Sequence, residues 1–317
     1  DLQFIKSDGG LTDATSFRGK DALLSGPAGG VVGAVSSAKR HYLGPILGFD
    51  MGGTSTDVSY YDGQFDRLYE TTISGVRVRT PMLAVHTVAS GGGSILDFDG
   101  ARLLVGPQSA GAYPGPACYG HGGPLTVTDA NLVLGRICAA NFPQTFGKSP
   151  KEPLNKERAT ALFTELGQKI SNKTGLSEYQ DIARLAYGYL EVATEKMSRA
   201  LLKVSTERGH DISEATLVAF GGAGGQHACM IAKRLNIKRV LISPLAGVLS
   251  AYGIGQAPQS RTDLCTWQQK LSDSELLAMQ PTFKSMHKKL LSTLKADDGS
   301  TVVEHRRLFL RYDGADT

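Results

Sequence analysis

Cysteine is scarce and scattered. Cys118, Cys138, Cys229 and Cys265 are the only four, and no two form a C-x-x-C pair. That leaves neither a disulfide frame nor a zinc site, and it fits reduced thiols in a cytoplasmic protein. No stretch is long and apolar enough to cross a membrane. Charge of either sign is nearly balanced: 34 basic against 30 acidic residues give a formal +4, too mild for a nucleic-acid binder. No secretory signal is visible. The chain also begins at Asp1 without an initiator Met and stops inside an expected strand at residues 308–312. It therefore reads as a fragment of something longer, and the missing signal says little. No internal repeat of solenoid period is present.

Several catalytic signatures are missing as well. There is no G-x-S-x-G elbow and no H-E-x-x-H. Gly147-Lys148-Ser149 ends like a Walker loop, but Phe142 stands where the first glycine is required. A G-x-G-x-x-G frame opened at Gly222 meets His227 in place of its last glycine, which argues against a dinucleotide fold. His86, His121 and His227 border glycine loops, where a lone histidine is read as structural.

Glycine is what the chain has in quantity: 38 of 317 residues, many in clusters that suggest backbone-lined binding loops. At 41% hydrophobic there is enough for one large or two smaller domains. The chain is organised around residues 49–61, F-D-M-G-G-T-S-T-D-V-S-Y-Y. An apolar run leads in as a buried strand that ends at Asp50. Gly52 and Gly53 strip a tight turn of side chains, so backbone N–H groups can meet an anion. Thr54, Ser55 and Thr56 add hydroxyls, Asp57 closes the turn, and residues 58–61 return as a second strand. A carboxylate beside phosphate donors implies Mg²⁺ between them. An ordinary hairpin turn is the competing reading.

In chain order, residues 2–5 suggest a short strand and residues 25–39 a small-residue helix, with Ser25 as cap and Pro27 in its first turn. Its Gly and Ala face predicts close helix–sheet packing in preference to ligand contact. Residues 64–73 have a strand pattern, and 95–105 a hairpin about Asp99-Gly100. Residues 106–124 are a long Gly/Pro-rich loop whose aromatics and cysteine predict order. Asp129 follows as either a helix cap or a ligand, and both readings stay open. Helices are expected over 155–171, with Asn155 as cap, and over 177–207, ended by Gly209. Glu195, Lys196 and Arg199 lie off the buried stripe of the second. Residues 217–242 read as strand, glycine loop 221–225, helix and strand, with the loop at a strand's carboxyl end, where open α/β sheets bind ligands. A Gly-Ala helix over 245–255, a helix within 272–295 and a strand over 302–312 complete the chain.

Residues 25–39, 50–57 and 221–225 resemble, in that order, the second half of the actin, sugar-kinase and chaperone ATPase superfamily. A closer likeness is to the hydantoinase A family. It rests on S-G-P-A-G-G-V-V-G-A, D-M-G-G-T-S-T-D-V-S, G-G-G-S, S-A-G-A-Y-P-G-P-A-C-Y-G and V-T-D-A-N-L-V-L-G-R, which cover most of residues 25–136. Within the family, N-F-P-Q-T-F-G at 141–147 and R-G-H-D before F-G-G-A-G-G-Q-H-A-C are most similar to its ATP-dependent 5-oxoprolinase branch. Ser90 stands where relatives carry Gly or Ala, and a hydroxyl there should be tolerated. The first phosphate loop of the superfamily and the hydantoinase B portion are not in this sequence.

The resemblance implies an actin-like (ribonuclease H-like) α/β half-domain: a mixed sheet with helices on both faces and a long Gly/Pro-rich insertion. It implies an ATPase domain over 1–257 and the truncated start of a C-terminal region over 258–317. ATP and Mg²⁺ are the implied cofactors, with Asp50 holding the metal through water. Asp50, Thr54, Asp57 and Asp129 form the implied catalytic set. Gly52, Gly53, Thr54 and Thr56 would meet the phosphates, and Gly221, Gly222, Gly224 and Gly225 the nucleoside, with Glu195 or Arg199 beside ribose or base. The implied reaction is ATP-dependent opening of 5-oxoproline or a related cyclic amide, which belongs to glutathione metabolism. Hydantoin hydrolysis and acetone or acetophenone carboxylation are same-class alternatives, and a nucleotide-binding regulator or scaffold is a different one. The implied partners are the missing N-terminal half-domain and B portion; a homodimer is compatible with them. By itself the fragment is expected to bind ATP weakly and to be inactive.

Overall fold

The computed structural model describes residues 2–41, 44–73, 75–145, 152–294 and 301–314. Gly147-Lys148-Ser149 and the end of the 141–147 motif lie outside them. At the centre stands the strand Ile46–Met51 of a five-stranded mixed sheet. Thr216–Phe220 pairs with it in parallel, and Arg239–Ile242 pairs in parallel beyond that. On the other side Thr56–Tyr61 and then Val85–Val88 run antiparallel.

The alternation of a strand decides what each face carries. Leu47, Phe49 and Met51 point into the larger core with Leu185, Tyr189 and Met197 of the long helix Ile182–Val204 and with Ala228 and Ile231 of the helix Gly224–Arg234. Ile46 points the other way, with Val218 and Phe220, toward Ala34 and Val35 of the helix Ser25–Lys39 and Leu249 of the helix Leu249–Gln256. Helices therefore cover both faces. Asp50 shares the parity of Ile46 and faces the second, smaller core.

Several elements differ from expectation. Ser25 is the first residue of its helix and not its cap; Leu24 holds that place without a side-chain bond. The small-residue face of this helix packs on the sheet through Gly30, Ala34 and Ala38, as expected, and through Gly29 and Gly33 it also packs on a second helix. Cβ atoms added at Gly29 and Gly33 would fall 2.8 Å from the carbonyl oxygen of Ser250 and 2.3 Å from that of Leu249. The 177–207 helix is shorter at both ends: Asp181 accepts from the amides of Ala183 and Arg184 and starts it at Ile182, and it ends at Val204, where Ser205 leaves helical geometry. Asn155 caps its helix as expected, and Gly209 is left-handed past the end of the second. Residues 64–73 form only the short strands Arg67–Leu68 and Thr71–Ile73. Residues 301–312 form no strand.

Candidate functional site

Two parallel strands end side by side, with Phe220 opposite Asp50 in register. Each runs straight into a glycine loop, so residues 52–55 and 221–225 emerge together at one end of the sheet. Ala223 stitches them by donating its N–H to the carbonyl of Met51 at 2.9 Å.

The first loop is held from behind by a third, Gly91–Gly93. Gly92 and Gly93 donate to the carbonyls of Gly52 and Gly53 at 3.1 and 2.6 Å. A Cβ on Gly91 would lie 2.7 Å from backbone atoms of Gly53 and Thr54, so only glycine permits this approach. Turning those carbonyls inward leaves amides outward. Among the described residues nothing accepts from the N–H groups of Gly53, Thr54 or Ser55. The Gly52 amide is taken, since it donates to the Ser55 carbonyl at 3.0 Å. The free donors are therefore shifted one residue along from the sequence expectation.

Asp50 sits half-buried between glycines. A Cβ on Gly221 would come 2.3 Å from its Oδ1, and one on Gly30 would come 3.3 Å from its Oδ2 and 3.1 Å from Oγ of Ser250. Gly30 lies on the small-residue face that the sequence assigned to packing, and Ser250, two hundred residues from Asp50, carried no sequence signal beyond its small size. Burial pushes the Asp50 carboxyl up to about 6, and the charge of Asp57, its partner across the hairpin, adds to the rise. No cation among the described residues pairs with it. A desolvated carboxylate lacking a counter-charge fits a divalent cation. Among the described residues no three His, Cys, Asp or Glu side chains gather into a metal cage. A cation here would be held by Asp50, water and ligand oxygens, which is how Mg²⁺ is commonly bound.

The remaining expected residues fall in different places. Thr54 is exposed on the loop, while Thr56 is buried and donates its hydroxyl to the carbonyl of Ser90 at 2.5 Å. Asp57 accepts from the Thr87 hydroxyl at 2.6 Å. Asp129 is fully buried. It accepts from the amides of Ala117, Cys118 and Thr126 and from the Thr126 hydroxyl, between 2.8 and 3.1 Å. It caps the helix Val127–Val133 from its third position, with Thr126 as the N-cap, and in doing so pins the Gly/Pro-rich loop. Burial raises its pKa against the pull of those donors. Thr128 on the same helix gives both its amide and its hydroxyl to the Gly92 carbonyl.

Glu195 and Arg199 are not brought to the loops. They pair with one another, and Glu195 also pairs with Arg234 in the last turn of the helix whose first residue is Gly224. That helix of 11 residues carries them roughly 15 Å from its glycine end. Of the second loop, Gly221 needs its left-handed φ of 80°, and a Cβ on Gly222 would meet nothing within 4 Å.

A family model described as hydantoinase/oxoprolinase, hydantoinase A, matches residues 1–262. The chain belongs to the hydantoinase A family. Similar members include a 5-oxoprolinase of Pestalotiopsis fici, 52% identical over 81% of this chain and 20% of its own length. The 5-oxoprolinase of Saccharomyces cerevisiae is 43% identical over 100% of this chain and 25% of its own. The chain thus spans about a quarter of the length of the 5-oxoprolinases it matches. Among solved structures, the ATP-dependent caprolactamase of Pseudomonas jessenii superposes with a TM-score of 0.76 at 31% identity, covering 92% of this chain and 42% of that one. A nucleotide-free acetone carboxylase shares the fold, with a TM-score of 0.70 at 24% identity over 92% of this chain and 41% of that one. The five-stranded mixed sheet and its helices thus match the fold of these solved structures. Among the described residues no helix is long and apolar enough to cross a membrane.

Proposed function

We propose that this chain carries the second phosphate loop and the nucleoside loop of an ATP-dependent 5-oxoprolinase, on an actin-like half-domain. The observation that carries the reading is the unpaired, desolvated Asp50 between two glycine loops, one of which turns three free amides outward. Identity of 52% and 43% to proteins named 5-oxoprolinase supports the substrate. The reaction proposed is 5-oxo-L-proline, ATP and water giving L-glutamate, ADP and phosphate. A γ-lactam is a stable amide. ATP with Mg²⁺ would supply a phosphoryl group to its carbonyl oxygen, which makes the carbon electrophilic enough for water to add and the ring C–N bond to break. A second water would then release phosphate from the acyl phosphate. Phosphoryl transfer is mostly positioning and charge neutralisation. The amides of Gly53, Thr54 and Ser55 would donate to phosphate oxygens, with the Thr54 hydroxyl beside them. The Asp50 carboxylate would accept from the water shell of the metal. Asp57, held by Thr87, adds negative charge that favours a cation there. Asp129 serves by fixing the Gly/Pro-rich loop. A related cyclic amide is the second reading, favoured by the likeness to the caprolactamase.

The test is phosphate release by the intact protein with Mg²⁺, ATP and 5-oxoproline, against caprolactam and hydantoin. No lactam-dependent release with any of them would refute the enzyme reading. Gly222 offers a sharper probe, because a Cβ added there has no protein atom within 4 Å. Gly222→Val should leave thermal unfolding within about 1 °C and raise the KM for ATP on the order of tenfold or more. An unchanged KM would remove the loop from the nucleotide site.

A further inference from the structure

His227 and Asn131 are both fully buried, and they meet between the helix Gly224–Arg234 and the helix Val127–Val133. The Asn131 Nδ2 lies 3.2 Å from the His227 Nε2 and also donates to the Val127 carbonyl at 3.1 Å. The carbonyl fixes which way the amide faces, because reversing it would set two oxygens together. Nδ2 can only donate, so Nε2 accepts and the ring proton sits on Nδ1. Burial, helped by the nearby Arg136, pushes the His227 pKa down to about 4, so the ring is neutral at pH 7. Among the described residues neither the Nδ1–H of His227 nor the Oδ1 of Asn131 has a partner. Burying them costs stability, so a folding role alone accounts poorly for the pair.

Its position suggests what it does. One residue before Asp129, Thr128 holds the Gly92 carbonyl, and Gly92 holds Gly52. Three residues before His227, Gly224 starts the helix at the end of the other loop, and Ala223 holds Met51. We propose that the Asn131–His227 hydrogen bond is a positioning device that sets the rotation of these two helices against each other, and so the spacing of the two glycine loops. It rests on the ATP reading above for its consequence in catalysis. A polar contact does this better than an apolar one because it has one angle and one distance, whereas packed methyl groups slide.

The experiment compares three forms of the intact protein. Asn131→Leu with His227→Leu removes the bond and the unpartnered atoms together, so its thermal midpoint should equal or exceed that of the wild type. Its KM for MgATP should still rise about tenfold, with a smaller change in kcat. His227→Gln can accept from Asn131 through its Oε1, and should keep KM within about twofold. A double variant with wild-type KM overturns the inference. If the double variant does not fold, equal KM in His227→Leu and His227→Gln overturns it instead. A wild-type protein that binds no MgATP by calorimetry sinks the ATP reading and not this one. The exchange of the Gly92 and Gly93 amides then decides: about tenfold faster in His227→Leu but not in His227→Gln supports the coupling, and equal rates refute it.

Discussion

Asp50→Asn should make the protein more stable and, in the same change, abolish its activity. The carboxyl titrates at about 6 in the folded chain against an ordinary 3.8. The fold thus holds its proton more tightly than the unfolded chain does. Between those two pH values the native state binds more protons, so stability falls as pH rises through the window and the loss is complete above about pH 6. At pH 8 it amounts to about 3 kcal/mol, and an uncharged Asn escapes it. Without nucleotide or metal, the variant's thermal midpoint should be roughly 5 °C or more higher at pH 8. The difference should vanish near pH 3.5, below both values. ATP turnover by the intact protein should fall on the order of a hundredfold or more, since the charge that offsets the cation is gone. A lower midpoint at pH 8 would mean that Asp50 is anchored by a partner. Turnover within about twofold of wild type would end its assignment to the site.

Gly253→Ala should have the largest effect on the fold. The helices Ser25–Lys39 and Leu249–Gln256 cross with backbone against backbone. A Cβ at Gly253 would lie 1.9 Å from the Gly29 carbonyl oxygen and 2.5 Å from the Gly33 nitrogen. Neither atom belongs to a side chain that can rotate aside, so the helices must separate. Overpacking of this kind costs about 3 kcal/mol or more. Gly30 rides on the displaced helix, one residue from the collision, and its bare Cα backs the Asp50 carboxylate. Nucleotide affinity should therefore fall along with stability. Gly255→Ala is the control, on the same helix with no atom within 4 Å of its added Cβ. It should be neutral or stabilising by up to about 1 kcal/mol. Denaturant midpoints measure both. Equal midpoints for the two variants would show that the helices do not touch.

The local grammar of the chain was legible without a structure. An apolar run, two glycines, hydroxyls and a returning run can hardly be anything but strand, loop and strand, and 46–61 is that. The same holds for the strand and helix around residues 221–225 and for the ordered Gly/Pro-rich stretch, because each depends on neighbours in sequence. Side-chain roles were less legible. Asp129 carried two readings, and only its four donors, three of them on backbone amides, show how it serves its loop. Glu195 and Arg199, which the resemblance set beside ribose or base, pair with each other and with Arg234 at the far end of the helix that starts at Gly224, a placement no local pattern specifies.

By itself, then, the sequence determined where the backbone turns, which loops lack side chains, and which family the motifs belong to. Those properties follow from glycine, from alternation and from short-range spacing. Only the tertiary structure decided that Gly30 and Gly221 close on Asp50, with Ser250 beside Gly30, and that the amides of Gly53, Thr54 and Ser55 are the free ones. Both depend on segments distant in the chain, Gly30 and Ser250 among them, meeting at one sheet end. A carboxylate becomes hard to ionise, and an amide becomes available, through what surrounds it in space.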